Sequence, residues 1–354
     1  MERLCLLGFL REASRDMAEE RRILRRELLT AGLAGFVGLA QKNQSAAAPP
    51  AARPQVQDQY QQLVLAAGPV AYWRLGEAAA ASIAVDETGN QHDGTFHGKP
   101  KFGEPAALRG SRNGAVGFDG NTYLEIPDHP AFSQPTSGQG LSVELWLRPD
   151  RLDFPGDRGN SYIHWLGKGE AGRQEWGFRF YNSSDPERPN RISAYLWNLD
   201  GGLGAGAYFQ DLLPVGQWIY IVACFPPGDA NTRPTPGVQI YKNAALRNGP
   251  PNSGTLYADP KWKIMPQRGT APVRLGKRDG NGMLIGALDE VAIYSRVLTS
   301  DEIQLHYAVG LGRKLSAQEF ARIKKLYAPH KCRPHRVFRR WLRSACREAG
   351  ASLG

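Results

Sequence analysis

The sequence is short of several things, and each shortage excludes a class of protein. No apolar run reaches the ~18 residues that a membrane-crossing helix needs, which excludes a multi-pass helical membrane protein. Cysteine is scarce: Cys5, Cys224, Cys332 and Cys346 are the complete set in 354 residues. No two form a C-x-x-C pair, so zinc ribbons and dithiol redox motifs are absent. Cys224 lies in an apolar strand-like run and reads as a buried free thiol. Cys332 and Cys346 can bridge in an oxidising compartment, and His330 and His335 flank Cys332 at a spacing that matches no standard zinc pattern. There is no Gly-x-Ser-x-Gly elbow, no His-Glu-x-x-His helix, no phosphate loop and no internal repeat. Charge of one sign is also missing from the middle of the chain. The net charge of +10 resides in the ends: residues 313–354 hold twelve Lys/Arg against two Asp/Glu, and residues 1–53 hold nine against six. The span between them is slightly acidic, so it lacks the basic footprint of a nucleic-acid binder.

What is present begins with an export signal. Residues 21–48 run from a basic stretch ending at Arg25-Arg26, through an apolar stretch from Leu28 to Ala40, to small residues at Ser45–Ala48. That is the order of a secretory signal. Arg25-Arg26-Glu27-Leu28-Leu29 resembles a twin-arginine signal, with Leu24 where a small polar residue is usual. Met17 offers a more ordinary start than Met1. We therefore assign 1–48 to the extension and signal, 49–66 to a Pro/Ala/Gln-rich linker, 67–312 to the folded body and 313–354 to a basic helical tail.

The body is a string of short β-rich runs separated by Gly, Pro, Asn and Asp: 70–75, 115–118, 123–126, 141–147, 162–166, 176–181, 192–197, 218–225, 238–241, 273–275 and 287–294. Many short strands with turn signals predict an all-β sandwich or barrel. One helix closes it. Thr299 and Glu302 form a capping box, Ile303, Tyr307 and Leu311 share a face, and Gly310 marks the stop. In the tail, Val337, Phe338, Trp341, Leu342 and Ala345 make a stripe opposite five arginines, an amphipathic pattern suited to an anionic membrane or envelope polymer.

A series of motifs in this body resembles bacterial laminin-G-like jelly-roll domains of the concanavalin A-like lectin/glucanase superfamily. Ala71-Tyr72-Trp73-Arg74-Leu75-Gly76-Glu77 is similar to the opening strand, and Val116-Gly117-Phe118-Asp119-Gly120 with Tyr123–Pro127 to the paired strands. Ser142–Pro149 is similar to the central strand, and Gly286–Tyr294 with the following helix to the closing elements. The resemblance implies two packed antiparallel sheets and leaves function open, because this fold hosts lectins, adhesion modules, glycosidases and passive domains.

Three chemistries could sit on such a scaffold. Hydrolysis needs two carboxyls ~5–9 Å apart, and the central strand offers only Glu144. Calcium suits the oxygen donors Asp86, Asn90 and Asp93 of one turn, and the resemblance implies an acidic residue near the closing strand approaching it, here Asp289; the plain alternative is a turn bonded to its own backbone. Finally, period-two alternation turns Val143, Leu145 and Leu147, Trp176, Phe178 and Phe180, and Ile192, Ala194 and Leu196 inward. It leaves Glu144, Trp146, Arg148, Arg179, Tyr181, Tyr195 and Trp197 outward as a face for stacking and hydrogen-bonding a sugar, under a loop at 198–206. The alternative is that these aromatics are a second core layer. The expectation is an exported non-catalytic binder of carbohydrate or a cell-surface partner. The competing readings are a glycoside hydrolase or lyase, and a structural envelope protein.

Overall fold

A computed structural model describes residues 59–133, 140–156, 159–199, 204–227, 237–248, 253–256, 267–280 and 282–316, together with Gln318, Glu319 and Ile323. The chain divides into two compact units, Met1–Gln55 and Val56–Gly354, and every described residue belongs to the second. The segment read above as an export signal, Cys5, Cys332, Cys346 and the stripe read as amphipathic in the tail lie outside the described residues.

The elements run α1 (Gln59–Ala66), β1 (Ala71–Trp73), β2 (Ile83–Ala84), β3 (Gly94–His97), β4 (Lys101–Glu104), β5 (Ala115–Asp119) and β6 (Tyr123–Ile126). Then come β7 (Leu141–Pro149), β8 (Tyr162–Glu170), β9 (Arg173–Tyr181), β10 (Ile192–Leu196), β11 (Ala205–Phe209) and β12 (Ile219–Phe225). The remainder are β13 (Gln239–Lys242), β14 (Ala245–Leu246), β15 (Ser253–Leu256), β16 (Val273–Leu275), β17 (Ile285–Tyr294) and α2 (Ser300–Gly310). Among the described residues they build two antiparallel sheets. The first has the order β14-β13-β12-β7-β17-β5-β4, with β1 also on β17; the second has the order β15-β11-β10-β9-β8-β16-β6-β3-β2. This is the jelly-roll sandwich that the strand pattern predicts.

Alternation explains the main core. Val143, Leu145 and Leu147 of β7 meet Trp176, Phe178 and Phe180 of β9 and Ile192, Ala194 and Leu196 of β10 between the sheets. Each run is apolar at every second position, so a single register buries the whole set. The outer face of the first sheet has a core of its own. Trp146, Tyr220, Val222, Cys224, Ala292 and Tyr294 are covered by Tyr60, Leu63 and Val64 of α1 and by Ile303, Leu305 and Val309 of α2. Residues 59–66, assigned above to the linker, are therefore a docked helix: the apolar Tyr60, Leu63 and Val64 fall on one side and are buried. Cys224 is free and buried as expected, with Ser142 Oγ at 3.4 Å, and burial pushes its thiol up to about 11.

α2 begins where the capping box predicts. Thr299 Oγ1 accepts from the Glu302 amide at 3.2 Å, and the Thr299 amide donates to Glu302 Oε2 at 2.8 Å. Packing requires glycine at its last residue, Gly310, and the left-handed residue just beyond is Gly312. A Cβ on Gly310 would lie 2.5 Å from Trp146 Cζ2. Gly310→Ala is expected to lower stability by about 1–3 kcal/mol through this overlap, measurable by urea denaturation.

Candidate functional site

The expected face of seven residues divides between the two sheets. β7 belongs to the first sheet, whereas β9 and β10 belong to the second, so their outward positions point away from each other. Glu144 (0% exposed) and Trp146 (2% exposed) lie beneath α1 and α2. The grouping fails because alternation gives the side of a sheet and not which sheet a strand joins. Glu144 Oε1 accepts from Tyr60 Oη at 2.9 Å and Tyr220 Oη at 2.8 Å, and Oε2 accepts from Tyr294 Oη at 2.8 Å. His306 Nδ1 sits 3.0 Å from both oxygens. Burial alone would raise this carboxyl; His306 and the tyrosine hydroxyls outweigh it and hold it below the usual glutamate range. Glu144 is a structural anchor closed to any substrate. Arg148 is likewise committed, pairing with Glu104 at 2.7 Å and Asp150 at 2.8 Å.

The turn proposed for calcium is bonded to itself. Asp86 Oδ1 accepts from the Tyr72 and Thr88 amides, each at 3.0 Å, and Oδ2 accepts from the His92 amide at 3.1 Å. Asp93 Oδ1 takes the Asp86 amide at 2.8 Å, and Asn90 Nδ2 donates to the Val70 carbonyl at 2.9 Å. Asp289 engages the Ala107 amide at 2.8 Å instead. Among the described residues no group of three or more His, Cys, Asp or Glu is placed to hold a metal ion.

The second sheet does gather the other four residues on its outer face. Register places Arg179 opposite Ser193 on one side and His164 on the other, and Tyr162 opposite Tyr181. Arg179 is the centre of the cluster. Its guanidinium carbon lies 4.7 Å from the centroid of Tyr162, 4.8 Å from Tyr195 and 5.5 Å from Trp197. Its Nε donates to His164 Nε2 at 2.9 Å, so that ring nitrogen carries the lone pair. Tyr195 and Trp197 stack with centroids 5.2 Å apart. Arg278, ion-paired with Asp279 at 2.5 Å, also lies over the Trp197 ring, 5.0 Å from its centroid. Gly167 and Gly177 make room for this arginine, since a Cβ on either would meet its Cδ at 3.2 Å. Burial pushes the Tyr195 hydroxyl up. At Tyr181 burial acts the same way, but Arg179 and Arg188 outweigh it and hold the hydroxyl below its usual value.

Sequence reasoning missed Tyr162, His164, Arg278 and Asp279. The alternation Tyr162-Ile163-His164 carried a usable signal, with Ile163 inward and its neighbours outward. Arg278 lies outside the strands, and only the two glycines beneath it hint at its approach.

A laminin-G family model of the concanavalin A-like lectin/glucanases superfamily matches residues 118–304. That is more than half of the 354 residues, and the chain belongs to this superfamily. No curated protein matches it. Among solved structures it is similar to domain 4 of AbnA, a GH43 extracellular arabinanase from Geobacillus stearothermophilus, in complex with arabinotriose. The TM-score is 0.42 at 19% identity, covering 68% of this chain and 98% of that one. It is also similar to the binding domain of botulinum neurotoxin serotype G, with TM-score 0.45, 11% identity and coverage of 68% and 51%. A third is the binding domain of botulinum neurotoxin DC in complex with SialylT, with TM-score 0.47, 10% identity and coverage of 71% and 54%. The chain spans about half the length of the neurotoxin domains.

Proposed function

We propose that this chain is an exported, non-catalytic carbohydrate-binding module whose ligand lies on the outer face of the second sheet, beside Arg179. The observation that carries this reading is the cluster itself: Tyr162 and Arg179 are half-buried and reachable from solvent, and Tyr195 and Trp197, each 2% exposed, pack beneath the guanidinium and hold it in place. Flat rings take the C–H faces of a sugar, while hydroxyls and guanidinium N–H groups take its oxygens. Membership of a lectin-bearing superfamily agrees with it. A hydrolase is disfavoured because the cluster contains a single acid, Asp279, already held by Arg278. Hydrolysis needs two carboxyls at a spacing of about 5–9 Å. Export through the signal at 1–48 and an envelope contact through the basic tail belong to the same proposal.

The test is a polysaccharide and glycan array probed with the purified protein, with calcium and with EDTA, while reducing sugar is assayed. Binding without sugar release is expected. Trp197→Ala should weaken it by about 30-fold or more, as loss of a buried aromatic anchor does. Trp146→Ala should leave affinity intact and lower stability. Release of reducing sugar would replace this reading with a hydrolase. Loss of binding in EDTA would restore the Asp86–Asp93 turn as a metal site.

A further inference from the structure

The cluster holds more positive charge than its own acids match. Arg179 spends Nε on His164, and one Nη1 hydrogen reaches Tyr181 Oη at 3.5 Å. Among the described residues no carboxylate forms an ion pair with it; the groups that act on it are the hydroxyls of Tyr195, Tyr181 and Tyr162. Two more arginines border the same face. Arg188 lies 5.5 Å from the Tyr181 centroid, and Arg191 lies 4.0 Å from that of Tyr208. The neighbouring acids are engaged. Asp279 is bound to Arg278, and Asp185 accepts from the Glu187 amide at 3.0 Å and the Arg188 amide at 2.6 Å. Glu187 stands exposed, 3.6 Å from Arg188.

A guanidinium taken partly out of water without a carboxylate is costly, and ring faces recover only part of that cost. The remaining demand is for an anion. A planar fork of N–H donors in a partly dry setting binds carboxylate or sulfate oxygens through short charge-assisted bonds. Tyr162 beside it supplies a partly exposed apolar face for the ring that bears the anion, and the buried Tyr195 and Trp197 back the guanidinium.

We propose that Arg179 is the anion subsite of this face and that the ligand is an acidic glycan, bearing a uronate carboxylate or a sulfate ester next to a sugar ring stacked on the aromatics. This rests on the carbohydrate-binding reading above and narrows it.

The experiment titrates the full chain with polygalacturonate, with the same polymer after carboxyl reduction, and with dextran and dextran sulfate. The wild type, Arg179→Met, Arg179→Lys and Trp197→Ala are compared. The basic tail is common to all four proteins, so its attraction for polyanions cancels in the comparison. Circular dichroism and urea midpoints verify that each variant is folded. The wild type should prefer the acidic polymer of one or both pairs over its neutral counterpart. Arg179→Met should cut affinity for that polymer by about 10- to 100-fold and weaken neutral binding by a much smaller factor, so that the preference collapses, with Arg179→Lys between. Preference for polygalacturonate assigns the carboxylate, and preference for dextran sulfate assigns the sulfate. Neutral and acidic polymers bound equally, with both lost in Trp197→Ala, would overturn the acidic ligand and leave the carbohydrate reading standing. An Arg179→Met variant that keeps the wild-type preference would overturn the subsite. Absence of binding to every polymer here and every glycan of the array would overturn both readings.

Discussion

Glu144→Leu is expected to lower the free energy of unfolding by about 3–5 kcal/mol, read from urea denaturation followed by tryptophan fluorescence. Leucine fits the volume but accepts nothing. It strands the hydroxyls of Tyr60, Tyr220 and Tyr294 and the Nδ1 of His306, all buried beneath α1 and α2. A buried donor without its acceptor costs about 1–3 kcal/mol, and here four lose theirs together. The effect also has a pH signature. The folded carboxyl lies below its unfolded value. Its contribution is therefore fully present above the ordinary glutamate pKa of about 4.3 and is lost as the pH falls through the folded value. The wild type should lose this stability on acidification, and Glu144→Leu should lack that component. A variant as stable as the wild type would refute the anchoring role.

A loss of similar size is expected for Arg74→Met. Arg74 Nη2 lies 2.6 Å from Glu290 Oε1, and Nε reaches the two carboxylate oxygens at 3.0 and 3.2 Å. Glu290 also accepts from Tyr72 Oη. Asp289 beside it is fully buried, and burial first, then the Glu290 charge, raises its carboxyl well above the usual range. Removing the guanidinium takes its charge from beside two buried acids, at a cost of about 3–5 kcal/mol near neutral pH. The sign with pH is opposite to that at Glu144. An unpartnered buried carboxyl is raised above its unfolded value, so the folded variant binds protons more tightly. Arg74→Met should regain stability as the pH falls toward about 4 and lose it as the pH rises. A uniform deficit at every pH would refute this account. Asp289→Asn in the same background should recover part of the loss, because asparagine keeps an oxygen for the Ala107 amide and removes a charge.

Much of the sandwich was legible because its strands alternate cleanly. Each of the eleven apolar runs overlaps one of the observed strands, and Thr299 and Glu302 marked the start of α2 correctly. The strands that were missed carry little alternation: β11 reads Ala-Gly-Ala-Tyr-Phe and begins inside the segment assigned to a loop, while β4 and β15 contain glycine and polar residues. They are strands because neighbours pair with them, which is a tertiary cause. The candidate site was half legible for a related reason. Arg179, Tyr181, Tyr195 and Trp197 come together because β9 and β10 are neighbours in sequence and in space. Glu144, Trp146 and Arg148 were grouped with them although β7 pairs with β12 and β17, which follow it at long range. The covering of Trp146 depended on α1, whose short sequence resembles the linker before it.

The anchor at Glu144 also bears on the order in which the chain is made. Its four donors lie 84 residues before it and 76, 150 and 162 residues after it. A nascent chain released as far as β12 holds the carboxylate with two of them and has neither Tyr294 nor His306. The central strand β7 at that stage lacks β17 along one edge. Non-local pairing of this kind is slow, and it exposes unpaired strand edges while it waits. The first sheet therefore closes only when its last strand and α2 have emerged, which makes this final helix the latch of the domain.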